Sequence, residues 1–244
     1  MAGVCAMLMC GMGLAQHAST PAAQYLFDMA NHERALVGLQ PLVWNEELAN
    51  AAHYHALRMA KANNISHQFE GEPELGARAA AAGAHFSVVA ENVAMAPTVI
   101  WIHDGWMHSP GHKANLLDPM VDSIGISIVA RGKELFAVQD FSRQVASLSF
   151  AEQEERVATM ISAKGVAHVV PTEDARTTCG MESGFAGPRP WFVMRYTASD
   201  LRVLPDVLLT KMATGKYHNA AVGACKTKEN GHFTAYNISV LLYP

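Results

Sequence analysis

Two runs near the middle of the chain, Ile124 to Ala130 and Glu134 to Phe141, alternate side chains on either side of Arg131-Gly132-Lys133. Alternation of period two with a short Gly-containing turn predicts a pair of antiparallel strands. A pair of this kind must be covered, and the segments before it have helical spacing. Tyr25 to Val37 reads as a helix ended by Gly38, with Leu26, Met29, Ala30 and Val37 on one side. Pro41 to Asn45 is a short extended connector, and Asn45 is placed to cap a second helix, Glu46 to Ala62. On that helix Leu48, Ala52, His55, Ala56 and Met59 share a face. A third helix runs from near Pro73 to Gly83 and a fourth from about Pro97 to Met107. Pro110-Gly111 breaks the pattern before a short helical turn through Leu117. Helices segregated around an antiparallel pair place the chain in the α+β class.

A second series follows: helix from Phe150 to Ala163, strand from Val166 to Val170, a loop rich in Gly and Pro, strand from Trp191 to Thr197. A helix near Leu204 to Ala213 and two strands, Ala220 to Lys226 and Phe233 to Tyr243, close it. Up to Arg143 there are 8 Lys/Arg, 13 Asp/Glu and nine histidines; beyond it there are 10, 9 and three. That shift, with Ser147-Leu148-Ser149 and the acids that open the next helix, sets a boundary near residue 146. The 244 residues, half of them apolar, suffice for two cores of ordinary size. No internal repeat and no low-complexity tract is evident in the sequence. A net charge of −4 without a Lys/Arg cluster gives no electrostatic footprint for nucleic acid or anionic lipid.

Residues 2–15 contain no charge and end in small residues before Gln16, the layout of a signal-peptide apolar region and cleavage site. About 14 apolar residues is too short to span a bilayer as a helix, and no other stretch reaches the required length, so stable membrane insertion of the mature chain is not expected. Residues 1–15 are therefore read as a signal peptide on a secreted, periplasmic or extracellular protein. Cys5 and Cys10 leave with it, and Cys179 and Cys225 remain as an even pair in an oxidising compartment, where a disulfide is the expectation. Closing that loop would stabilise by roughly 4 kcal/mol in the chain-entropy account.

Three features from separate segments carry the chemistry: Ser66-His67, Glu91-Asn92, and Ser109-Pro110-Gly111-His112. The two imidazoles and the carboxylate are a set that can hold Zn²⁺ with an open fourth position, where water is activated. The same three can equally form a neutral hydrogen-bonded cluster, and their spacing alone does not bring them together. His103, His108 and His112 have metal-like intervals, but the Pro-Gly break denies the last two a common helix face. His53 and His55 turn away from each other on a helix; His55 is expected near the core and His53 in solvent. No hydrolase elbow, zinc-protease helix, P-loop or dinucleotide fingerprint is present.

A longer order of residues adds to this. Asn31, Arg34, Gly38-Leu39, Pro41-Leu42, Trp44, His55, Ser66-His67, Arg78, Glu91-Asn92, Trp106-Met107, Ser109 to His112, Asn115-Leu116, Ile124-Gly125 and Asp140-Phe141 follow one another over about residues 24–143. This order resembles the CAP superfamily of cysteine-rich secretory, antigen 5 and pathogenesis-related proteins, in its bacterial SCP-like extracellular form. The resemblance implies an α-β-α sandwich over residues 22–145 whose central cleft holds two histidines and acidic residues. By motif His67 matches the first histidine, Glu91 the glutamate of the Glu-Asn pair, and His112 the histidine after Gly. Ser109 stands as cleft neighbour where eukaryotic members commonly carry a second acid, so the cleft offers three clear polar groups rather than four. Residues 147–244 match nothing in the family's cysteine-rich tail and are expected to form a second small α+β domain.

Three functions follow as expectations. The first is a binding module whose cleft, zinc-loaded in one version, takes an extracellular ligand such as a lipid, a cell-wall fragment or a protein partner. The second is a zinc-dependent extracellular hydrolase acting on peptide or cell wall, with Glu91 as third ligand or general base. The third is a polar network that only fixes the fold, with the function in residues 147–244. Arg34, Trp44, Asn92 and Asn115 are expected to be scaffold, as are the aromatic residues of the final strand, Phe233 through Tyr243.

Overall fold

The computed structural model describes residues 20–226 and 232–244. The predicted signal peptide, with Cys5 and Cys10, lies outside the described residues.

Thr20 accepts from the Ala23 amide at 3.1 Å and Pro21 opens α1 (Pro21–Leu36). After β1 (Val43–Trp44), Asn45 accepts from Leu48 at 2.7 Å and starts α2 (Glu46–Ala62), as the capping residue predicts. Then come α3 (Leu75–Ala81), β2 (Phe86–Ala96), α4 (Val99–His108), α5 (Pro110–Leu116), β3 (Ser123–Arg131) and β4 (Glu134–Gln144). The hairpin is as predicted, with Arg131 paired to Glu134 and Gly132 at φ +64° in the turn. β2 is a long strand that periodicity does not single out. It pairs antiparallel with β4 and completes a sheet of order β1-β3-β4-β2.

Alternation along the strands divides the core into two layers. Phe136 and Val138 of β4, with Val93 of β2, pack on Ala52, Ala56 and Met59 of α2. Ala137 and Phe141, one residue out of step, pack with Leu26 of α1 and with Ile102 and Trp106 of α4. The result is a helix-sheet-helix sandwich, with α1, α4 and α5 on one face and α2 on the other. At Gly125 an added Cβ would lie 2.1 Å from the Ala49 amide nitrogen, so a glycine is what lets α2 lie against β3.

The second unit holds α6 (Phe150–Ser162), β5 (His168–Pro171), α7 (Glu173–Gly180), β6 (Phe192–Ala198), α8 (Asp206–Met212), β7 (Asn219–Cys225) and β8 (Tyr236–Tyr243). The expected Gly/Pro loop after β5 instead begins with α7. Thr172 caps it by accepting from the Ala175 amide at 3.1 Å, and Glu173 and Asp174 occupy its first turn. The last strand begins at Tyr236, not Phe233. Cys179 on α7 is joined to Cys225 on β7, as expected for the even pair.

The sequence shows no repeat, but the topology does. The second sheet has order β5-β7-β8-β6, with β5 parallel to β7 and the other pairs antiparallel, which is the pattern of the first sheet. The Thr172 amide donates to Val222 O at 3.1 Å, just as the Asn45 amide donates to Ile124 O at 2.9 Å. One residue on, Gly223 faces the α7 backbone at Ala175 and Arg176, where a Cβ would come within 2.2 Å, as Gly125 faces α2. Carrying this register across both sheets sets Arg195 where the first unit has Glu91, and Ser239 where it has Asp140. The 17-residue α2 corresponds to the eight residues of α7, so α7 is too short to wall a cleft as α2 does.

Candidate functional site

Strand β2 lies at the sheet edge, where the two helical layers of the first unit meet, and it sends Glu91 to one face and Asn92 to the other. Glu91 is 5% exposed. Its Oε1 accepts from His67 Nδ1 at 2.9 Å, and its Oε2 is held by the Arg78 guanidinium in an ion pair. His67 comes from the loop after α2 and its side chain is 61% exposed, so a surface imidazole is oriented by a buried acid. Because a carboxylate only accepts, Nδ1 is the donor, and Nε2 is the nitrogen left for a ligand.

His55 and Glu72 stand behind this pair. His55 is fully buried; its Nδ1 lies 2.8 Å from Glu72 Oε1 and its Nε2 lies 2.7 Å from Ser66 O. Both partners are acceptors, so each ring nitrogen of His55 faces an oxygen. Its Nε2 is also 3.8 Å from Glu91 Oε2. Burial pushes the Glu72 carboxyl up, but hydrogen bonds from His55 and from the Phe69 amide outweigh it and hold Glu72 below the ordinary glutamate range. Arg78 also reaches His67 O at 3.3 Å and Pro73 O at 3.2 Å, tying the His67 loop to α3.

On the other face the Asn92 side chain donates to His112 O at 3.0 Å, and Asn115 donates to Glu91 O at 3.1 Å and to Asn92 Oδ1 at 3.0 Å. These two amides lock α5 to the edge strand and so fix where His112 stands. Burial first, and then the charge of nearby His67, hold His112 below the ordinary histidine range. His112 is therefore a neutral imidazole at pH 7.

Across the strands from Glu91 lies Asp140, fully buried, with neither oxygen receiving a hydrogen bond among the described residues. Burial pushes its carboxyl well above the ordinary aspartate range, and the Glu91 carboxylate adds to this while Arg78 opposes it. Burial thus favours the protonated form of Asp140 beside Glu91. Asp140 gives the cleft a second acid, reached from β4 rather than from position 109.

The structure therefore brings His67 and Glu91 into contact and sets His112 close enough to feel the charge of His67. Ser109 is the hinge residue between α4 and α5, and its side chain makes no capping bond. The expected zinc set does not fit as drawn. Both Glu91 oxygens are committed to His67 and Arg78, and among the described residues no three His, Cys, Asp or Glu side chains are arranged to hold a metal. His103 and His108 take no part: His103 is buried 3.5 Å from Glu33, and His108 is exposed and bound to Asp104. His53 is exposed as expected, 3.1 Å from Ser127 Oγ. Arg34 is scaffold, its guanidinium spread over the carbonyls of Gln40, Leu116, Asp118 and Val121.

The sequence model of the cysteine-rich secretory protein family, CAP, matches residues 27–141. The uncharacterized protein YkwD of Bacillus subtilis strain 168 is 30% identical over 109 residues, which are 43% of this chain and 41% of that protein. Among solved structures, an extracellular protein containing an SCP domain from Bacillus anthracis strain Ames is similar with a TM-score of 0.46 and 27% identity, over 53% of this chain and 45% of that one. An outer surface protein of Borrelia burgdorferi has a TM-score of 0.49 and 19% identity, over 52% of this chain and 96% of that one. The chain spans less than half the length of YkwD and of the Bacillus anthracis protein.

Proposed function

Because residues 27–141 match the sequence model of the cysteine-rich secretory protein family, we propose that this unit is an extracellular binding module of that family whose cleft takes a polar ligand on the imidazoles of His67 and His112. The carrying observation is the His67–Glu91 pair, in which a side chain 61% exposed is held by one 2% exposed. An exposed imidazole ordinarily pays rotamer entropy when it binds; here the ring is already oriented, so less is lost on binding. With Nδ1 given to Glu91, Nε2 accepts when the ring is neutral and donates when it is protonated. His112 supplies a second, neutral imidazole. Arg78, His55 and Glu72 keep the buried carboxylate in place, and Asn92 and Asn115 hold the two sides of the cleft together.

Two features support an extracellular location: the leader composition of residues 1–15 and the disulfide between Cys179 and Cys225, which persists in oxidising compartments. Among the described residues no helix is long and apolar enough to cross a membrane. The cleft supports binding better than hydrolysis because Glu91 is buried and its oxygens already accept from His67 and Arg78, a poor position from which to take a proton from a bound water.

Calorimetric titration of the full chain with soluble cell-wall fragments and with phospholipid vesicles tests the reading. One of these binds, and His67→Ala weakens it at least tenfold while the melting temperature moves little, because the side chain is largely outside the core. Unchanged binding by His67→Ala/His112→Ala would overturn it. A zinc titration beside it decides the metal: one equivalent per chain, lost in that double variant, would reinstate a two-imidazole zinc site.

A further inference from the structure

The second unit repeats the topology of the first but not its site. At the position matching Glu91, Arg195 points its guanidinium back at the carbonyls of Thr178 and Gly184 and braces its own loop. What the second unit adds is found at its boundary with the first, in a cavity of about 460 Å³ between the end of β4, the start of α6 and the loop after β6.

Three arginines line this cavity from three elements: Arg143 from β4, Arg156 from α6 and Arg202 from the loop that follows β6. Two carboxylates share it, and each already has partners of its own: the charge of Asp122 reaches Arg202 and Arg34. Asp200 takes Arg202 through contacts of 2.8 to 3.2 Å, and its carboxyl is held below the ordinary range first by that hydrogen bond. Asp122 accepts the Gln144 amide at 2.8 Å. Among the described residues Arg143 has only the Met120 sulfur at 3.8 Å, a weak acceptor, and the charge of Asp200 reaches it without a direct bond. No hydrogen bond or ion pair is described for Arg156. The acid its charge reaches is Glu152 one turn earlier on α6, and that carboxylate is engaged by the Ser149 amide and hydroxyl. In a chain of net charge −4, Arg143 and Arg156, from two different elements that line one cavity, are thus without a directly bonded carboxylate among the described residues.

We infer that this cavity binds a small polar oxyanion, carried as phosphate or carboxylate, between Arg143 and Arg156, so that the ligand bridges the two units. A guanidinium fork meets either oxyanion with two parallel N–H···O bonds. The volume is in the range of small-molecule sites and admits a compact metabolite-sized anion rather than a polymer surface.

The test is isothermal titration of the full chain, at low ionic strength, with inorganic phosphate, with citrate and with glucose as a neutral polar control. One equivalent of phosphate or citrate binds and glucose does not; the better of the two anions names the headgroup. Arg143→Gln and Arg156→Gln each weaken binding about tenfold, the loss expected for a charge-assisted contact. Arg189→Gln, a change of equal charge elsewhere in the second unit, and His67→Ala leave it unchanged. Because each arginine is changed separately, failure of one variant to fold leaves the other to decide. Absence of anion binding, or equal weakening by Arg189→Gln, would overturn the inference. Loss of ligand by His67→Ala in the wall-fragment titration with anion binding intact keeps this site distinct from the cleft.

Discussion

Asp140 contributes to the cleft at a thermodynamic cost that can be measured. Its carboxyl titrates at ordinary aspartate pH in the unfolded chain and well above it in the folded one, so the folded state holds the extra proton between those two values. Stability therefore falls as pH rises through that window, and above it the full penalty stands. Asp140→Asn keeps the shape, supplies an N–H to the neighbouring Glu91 carboxylate and removes the titration. The variant should be more stable than the parent at pH 7 by about 1–3 kcal/mol, the cost of an unsatisfied buried polar group, and lose that advantage near pH 3.5. Urea melts at the two pH values decide it; an Asn variant equally destabilised at both would mean that Asp140 is a needed charge. The same neighbourhood shows what residue reading can recover. His67, Glu91 and His112 stand out by motif order, and Asp140 belongs to that order without a role attached to it, whereas Glu72 carries no local signal. Glu72 reaches His55 across a loop, and Asp140 meets Glu91 only once β2 and β4 are in register.

At the scale of elements, caps and turns were readable and packing was not. Asn45, Gly38 and the Arg131-Gly132-Lys133 turn state their roles locally, and the helices and hairpin fall close to where they predict. β2 escapes because it is half-buried on both sides at a sheet edge and lacks a clean alternation. α7 escapes because only eight residues follow its cap, too few to show a helical period beside a Gly/Pro-rich stretch. The repeated topology is carried by two glycines whose importance lies in what approaches them. Gly125→Ala would drive a methyl into the α2 backbone, and Gly223→Ala would do the same to α7. Each should cost about 3 kcal/mol or more in chemical denaturation, since backbone rather than a side-chain end must move. Gly180→Ala, with nothing within 4 Å, should stay within about 1 kcal/mol of the parent. Equal effects at all three positions would remove the argument that close helix approach shapes both units.

In the whole molecule, each unit has its own core and the contact between them is narrow. Val157, Ile161, Leu208 and Val240 belong to one cluster, and Leu26, Trp106, Ile124 and Phe141 to another. Besides the connector, the Thr234 amide donates to Phe86 O at 2.8 Å and the ring of Phe233 meets Phe86 edge-on with centroids 5.5 Å apart. Phe86 is buried in the first unit while Phe233 is half exposed, so Phe233 can be removed without opening a core. Coupling through one ring pair is worth about 1 kcal/mol. That contact is lost when the less stable unit unfolds, and the other then melts without it. Phe233→Ala should therefore lower only the first of two calorimetric transitions, by roughly 4–8 °C for a unit of this size, and leave the second in place. An anion in the cavity between the units touches both and adds to the same coupling, so phosphate should raise that first transition in the parent and in Phe233→Ala alike. A single transition shifted as a whole would instead mean that the two sandwiches fold as one body.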